Sequence, residues 1–249
     1  MSNQANISST PCGIALSGDA GIDLSLDNAA KPFTNWLAEV DRERFKVQSI
    51  HVQSVDMFGP RVGFVKFKVE VTDADGRALP GIIFARGGSV SVLAVLLCEG
   101  KSYVVTTVQP RLATGKFEFV EVCAGMLDGS GNFAGVAAKE LKEELDIEIS
   151  ASDLTNLSEL SGAPDGMYLS PGACEETIRF FAFTRTVSRP ELNAMQGKCT
   201  GALDEGEQIT LKIIELDELL SLPDAKSVVA YTLFQQHKDQ VRDLTVSAS

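Results

Sequence analysis

No stretch of the sequence approaches the ~18 consecutive apolar residues that a membrane helix needs, so no membrane partner is expected. Positive charge is scarce: 22 Lys and Arg against 34 Asp and Glu give a net charge of −12. The pI is near 4.7. Such a field repels phosphate backbones and excludes broad nucleic-acid binding; an anionic substrate must be met by local arginines or a divalent cation. Histidine is almost missing, and His51 and His237 each read as surface residues rather than as a base or ligand. The five cysteines, at 12, 98, 123, 174 and 199, include no CxxC pair. They read as reduced thiols in a reducing compartment. Residues 1–11 are polar and carry neither an apolar signal core nor an Arg-rich pattern, so the expected location is the cytoplasm. There is no GxSxG elbow and no GxxxxGK[ST] loop. Cys174 has no histidine near it in sequence, which argues against a thiol nucleophile.

What remains is an ordinary globular composition, 249 residues with 44% apolar and 22% charged. Residues 1–30 are rich in Ser, Gly, Asn and Ala and read as a loose arm, followed by a short helix to residue 44 that carries Trp36, Leu37 and Val40. From Phe45 the period switches to two, and residues 45–85 predict an antiparallel sheet. The run SVSVLAVLL, 89–97, predicts a strand buried on both faces. Further strands are expected at 103–108, 117–122, 178–184 and 208–214, with helices at 133–146 and 224–241. Strands, one helix, more strands and a terminal helix make an α+β chain rather than an alternating βαβ one. The domain reading is an arm at 1–44, a sheet at 45–85 and a larger domain at 86–249.

One segment carries chemistry. In the predicted helix, Glu140, Glu143 and Glu144 stand at i, i+3 and i+4, so their carboxylates share a face. Like charges at that spacing cost a helix roughly 0.2–0.5 kcal/mol, and a hard divalent cation converts the repulsion into binding. The rival reading is a solvated acidic face. Asp128 to Asn132 (DGSGN) mimics the start of a calcium loop but fails at Phe133 and Lys139, where glycine and glutamate belong. The glycines 129, 131 and 135 miss the dinucleotide fingerprint by one residue.

Gly125 is followed fourteen residues later by Lys139-Glu140-Leu141-Lys142-Glu143-Glu144-Leu145-Asp146-Ile147. This resembles the Nudix box: Gly, five residues, Glu, seven residues, then Arg-Glu-apolar-x-Glu-Glu-x-Gly-apolar. Three positions depart: Gly131 stands for the first Glu, Lys139 for Arg and Asp146 for Gly. Lys139 keeps the charge but not the bidentate fork. The stretches 55–68, 80–93, 110–128, 170–176 and 201–209 are together similar to the ADP-sugar diphosphatase branch of the Nudix hydrolases. Val108 and Cys123 depart from an expected acidic residue and an expected proline.

The resemblance implies a Nudix fold, a mixed sheet sandwiched between helices, with an N-terminal antiparallel sheet that dimerises. It implies Mg²⁺- or Mn²⁺-dependent hydrolysis of a nucleoside diphosphate sugar to a nucleoside monophosphate and a sugar 1-phosphate. ADP-ribose hydrolysis is the alternative, and a binding module with weakened catalysis is a further one. It implies metal binding by Glu140, Glu143, Glu144 and the Ala124 carbonyl. Arg86 and Arg111 match positions that hold the diphosphate or terminal sugar. Glu121 either contacts the nucleotide or sugar or is structural. Glu176 is expected to contact substrate; the general base is expected in the acidic loop at Glu205 or Glu207, with Glu176 as its rival.

Overall fold

The computed structural model describes residues 7–10, 13–23, 31–59, 61–127, 132–201 and 208–245. The chain divides into two units, residues 1–88 with 170–176, and residues 89–169 with 177–249. The first unit ends at Gly88 and takes in the excursion Ser170–Glu176.

In the first unit, β1 (Ile7–Ser9), β2 (Ala15–Gly18), β3 (Lys46–Phe58), β4 (Arg61–Thr72) and β5 (Ile82–Ala85) form one sheet in sequence order. The helix α1 (Lys31–Glu39) lies between β2 and β3 in the chain. As the period of two predicts, β3, β4 and β5 are antiparallel neighbours. Their inward residues Ile50, Val52, Val65, Phe67 and Val69 are buried. The arm is not loose where it is described. β2 joins β3 in parallel, pairing Leu16 with Ile50, and Leu16 is buried. Phe33 and Leu37, one helical turn apart on α1, complete this core, and the Phe33 and Trp36 rings stand 5.1 and 4.9 Å from that of Phe67.

The second unit is built on β6 (Ser89–Cys98), β7 (Lys101–Arg111) and β8 (Lys116–Met126). There follow α2 (Phe133–Leu145), β9 (Thr155–Asn156), α3 (Leu157–Leu160), β10 (Met167–Tyr168), β11 (Thr177–Thr186), α4 (Arg189–Met195), β12 (Cys199–Thr200), β13 (Ile209–Glu215) and α5 (Ala225–His237). The sheet order is β10-β11-β6-β8-β7-β13-β12, with β9 also on β11. The sheet is mixed because β11 runs parallel to β6 while its other pairings are antiparallel.

The apolar run of β6 follows from burial on both faces. Val90, Val92, Ala94 and Leu96 enter one core with Val136, Ala137, Leu141 and Leu145 of α2 and Leu192 of α4. Leu93 and Val95 enter the other with Leu157 of α3 and Ala230, Leu233 and Phe234 of α5. Helices therefore cover both faces of the sheet. Asp224 caps α5, accepting from the Ser227 N–H at 3.2 Å. The predicted helical tail to residue 241 instead finishes as a 3₁₀ turn, Lys238–Gln240. Among the described residues no helix is long and apolar enough to cross a membrane.

Candidate active site

The carboxylate helix is set by its two ends. Asn132 caps the start of α2, accepting from the Gly135 N–H at 3.0 Å. At the other end Asp146 stops the helix in the left-handed region, at φ 52°. Glycine is the usual residue there. The aspartate offsets its strain by pairing with Lys142 at 3.3 Å and Lys198 at 2.6 Å, and those lysines hold its carboxyl below the ordinary range. The chain leading to the acidic loop is tied to the same helix end. Thr200 Oγ1 donates to the Glu144 carbonyl at 2.5 Å and the Gly201 N–H to the Glu143 carbonyl at 3.1 Å.

The three glutamates are not equivalent. Glu143 is exposed, with Lys139 Nζ 3.6 Å from its Oε1; Glu140 is half-buried; Glu144 is buried. The spacing puts all three on one face, and Glu144 lies at its covered edge, buried like Leu141 and Leu145. Glu140 lies against Gly125 at the end of β8. A Cβ on Gly125 would stand 1.9 Å from Glu140 Cδ, so only glycine leaves room for that carboxylate. Glu144 Oε2 accepts from the Ala124 N–H at 3.2 Å. Burial, reinforced by the Glu140 charge, pushes the Glu144 carboxyl up to about 8 against a pull downwards from the Cys123 thiol and the Ala124 N–H. The Cys123 thiol is pushed well above its ordinary range by burial and then by the Glu144 charge, which rules it out as a nucleophile.

These donors fit a hard divalent ion. Glu144 is a buried carboxyl whose described partners are an amide and a thiol, with no Lys or Arg among them, so burial favours its neutral form until a cation binds. Among the described residues no three acidic, His or Cys side chains converge closely enough to form a complete metal site. The helix would therefore offer at most part of a coordination sphere, to an ion that keeps waters and takes phosphate oxygens.

Arg111 and Glu121 pair directly, Nε to Oε1 at 2.6 Å, and Glu121 is buried. Sequence reasoning missed the third member, Lys226 on α5, which is bonded to Glu121 Oε2. Their sequence separation of 105 leaves no local signal. Arg86 and Glu176 belong to the first unit and pair at 3.4 Å, with the Arg86 guanidinium 5.5 Å from the Phe64 ring centroid. Glu205, Glu207 and Gly131 lie outside the described residues, as does most of the calcium-loop mimic.

No family model matches the sequence. Nudix hydrolase 14, chloroplastic, of Arabidopsis thaliana is 36% identical over 239 residues, spanning 89% of this chain and 76% of that protein. The chain belongs to the Nudix hydrolases. An uncharacterized Nudix hydrolase of Schizosaccharomyces pombe is 28% identical over 131 residues, 53% of this chain and 57% of that one. The crystal structure of an ADP compounds hydrolase superposes with a TM-score of 0.56 at 15% identity, covering 79% of this chain and 96% of that chain. At that identity the likeness is one of fold, and it agrees with the Nudix arrangement of a mixed sheet between helices. Gly125 to Ile147 is the segment of this hydrolase that resembles the Nudix box, with three departures.

Proposed function

We propose that this Nudix hydrolase cleaves the diphosphate of a nucleoside diphosphate sugar of the ADP-sugar type, with Mg²⁺ or Mn²⁺, releasing a nucleoside monophosphate and a sugar 1-phosphate. The observation that carries the reading is the buried Glu144, with no Lys or Arg among its described partners, beside a Glu140 carboxylate packed on Gly125. Such a pair is costly unless a divalent ion takes up the charge. The likeness to the Arabidopsis protein over most of the chain supports the hydrolase half of the reading.

Glu140, Glu144, Glu143 and the Ala124 carbonyl would hold the ions. Bound there, such ions would supply charge to offset the phosphates and would lower the pKa of a water. Arg111, anchored by Glu121, faces solvent with a cation in a protein of net charge −12 and attracts an anionic substrate. Arg86, with its guanidinium near Phe64 and Glu176, is the corresponding cation of the first unit. The proton of the attacking water goes to Glu205 or Glu207. The anchoring of Thr200 and Gly201 on the Glu144 and Glu143 carbonyls supports a loop that starts beside the metal helix. Glu176, already paired with Arg86, is the rival base.

The test is a panel of ADP-sugars, UDP-sugars, ADP-ribose and dinucleotides with Mg²⁺ or Mn²⁺, followed by release of monophosphate. Preference for ADP-ribose moves the substrate to the alternative. Tight binding without turnover makes the chain a binding module. Glu205→Gln and Glu207→Gln should lose kcat with binding retained; loss only in Glu176→Gln moves the base to residues 170–176. The active form is proposed to be a homodimer through the N-terminal sheet, where Met57, Phe58 and Ile82 stand exposed. Light scattering giving 26.7 kDa, the mass of one chain, at micromolar concentration would refute it.

A further inference from the structure

Beyond the carboxylate helix, the densest buried charge in the second unit lies where the first turn of α5 meets β8. Lys226 and Glu121 are 9% and 3% exposed. Lys226 Nζ donates to Glu121 Oε2, and to Asp224 Oδ2 at 3.1 Å. The other Glu121 oxygen, Oε1, accepts from Arg111 Nε at 2.6 Å. Asp224 Oδ2 also accepts from the Ser227 N–H at 3.2 Å and from Ser227 Oγ at 2.6 Å. Ser227 Oγ in turn accepts from the Val122 N–H at 3.2 Å, locking the turn to β8.

Four charges are held here in one chain of bonds, and they sum to zero. Buried ion pairs of this kind add little stability over well-packed apolar residues, so stability alone does not explain them. What they fix is a position. Glu121 and Lys226 are buried and Asp224 nearly so, while the Arg111 side chain, 41% exposed, is the one that opens to solvent. Its Nε is occupied by Glu121, and its two Nη groups make no hydrogen bond with a described residue. A guanidinium pinned at Nε keeps its outer edge for two parallel bonds to an anion. Without Lys226 the Glu121 carboxylate would be a buried charge with one partner, free to rotate toward Arg111 and close that edge.

We propose that Lys226 is a positioning residue for substrate capture: through Glu121 it holds Arg111 as a preformed fork for phosphate oxygens of the nucleotide substrate. This rests on reading Arg111 as a substrate contact of the hydrolase proposed above. It assigns a role to the first turn of α5, an element that carries no part of the Nudix box. The fork acts on binding, so its loss appears in KM and Kd, not in the chemical step.

The experiment compares wild type with Lys226→Met, Lys226→Arg and Arg111→Ala. ADP-ribose is the probe, with its Kd taken by calorimetry in Ca²⁺ and its kcat and KM in Mg²⁺. Lys226→Met and Arg111→Ala should each raise Kd and KM about tenfold, with kcat changed less than about threefold. Lys226→Arg, which keeps the charge and a donor, should restore most of the affinity. A merely structural lysine would lower the melting temperature and the active fraction but leave KM untouched, and that result overturns the proposal. So does an Arg111→Ala variant with wild-type affinity. If Lys226→Met is insoluble, Lys226→Gln is read in its place by the same criteria. Wild-type binding without turnover sinks the hydrolase reading, and the Kd comparison still decides Lys226. A wild type that does not bind ADP-ribose overturns the fork.

Discussion

Replacing Gly125 by alanine adds one methyl group at the point where strand and helix meet. The backbone at Gly125 is not in the left-handed region, so β8 accepts an L side chain there without strain. The new Cβ would stand 1.9 Å from Glu140 Cδ, 2.0 Å from Oε1 and 2.4 Å from Cγ. Relief to 3.4 Å, where ordinary contact begins, requires the carboxyl carbon to move by 3.4 − 1.9 = 1.5 Å. The obstacle is the end of a flexible side chain, so the fold should survive at a cost of about 1 kcal/mol. Catalysis tolerates far less, since a displacement near 1 Å at a reacting group costs about 10²-fold in rate, or about 2.7 kcal/mol. Gly125→Ala should therefore lose about two orders of magnitude in kcat, bind Mn²⁺ more weakly by calorimetry, and melt within a few degrees of wild type. Glu140→Gln should be inactive to a similar degree. The double variant should be little worse than either single one, because both act on the same carboxylate. A Gly125→Ala enzyme with kcat within twofold of wild type and an intact fold would refute the assignment of Glu140 to the metal site.

Glu144→Gln should cut turnover by orders of magnitude while raising stability in EDTA at pH 8. The folded carboxyl titrates at about 8 against 4.5 for an ordinary glutamate, so the unfolded chain loses its proton first. Wild-type stability thus falls as pH rises from 4.5 to about 8. The variant lacks that slope, and the two melting curves should converge near pH 4.5; a variant less stable than wild type at pH 8 would contradict the burial argument. Asp146→Val should lower the melting temperature more than Asp146→Gly. Valine tolerates φ 52° poorly, whereas glycine trades relief of strain against two lost ion pairs. Equal melting for the two variants would count against a left-handed cap. Thr200→Val removes the hydroxyl bonded to the Glu144 carbonyl, and should lower kcat several-fold with little change in melting temperature.

The parts of the fold that were legible are those with a local cause. The unbroken apolar run of β6 announces two covered faces, and Val90 and Leu93 indeed enter different cores. The α2 limits are written in its caps, Asn132 before it and Asp146 after it. The parallel docking of β2 on β3 was not legible, because a four-residue strand in a Ser- and Gly-rich arm has no periodicity of its own. The short elements α3 and α4 were hidden for the same reason, at four and seven residues. At the site, the residue types were readable from spacing, but the burial of Glu144 was not. Helical periodicity places it with Glu140, and only the approach of β8 decides that it is covered. Lys226 was beyond reach, since its partner Glu121 is brought to it by the whole intervening unit.

The excursion Ser170–Glu176 has a consequence for how the protein is made. The first unit is not finished when its last strand, β5, has been synthesised. Phe84 still awaits its bonds, the Phe84 N–H to the Ala173 carbonyl at 2.8 Å and the Glu175 N–H to the Phe84 carbonyl at 3.4 Å. Gly87 likewise awaits the Glu175 carboxylate, 2.8 Å from its N–H. These contacts form only after β6, β7, β8 and α2 have left the ribosome. The N-terminal sheet must wait, with β5 incompletely bonded, through the synthesis of half of its neighbour. The two units therefore cannot be cut apart at one peptide bond. A fragment ending at residue 88 would retain the sheet but lose the segment that holds Phe84, Arg86 and Gly87 in place.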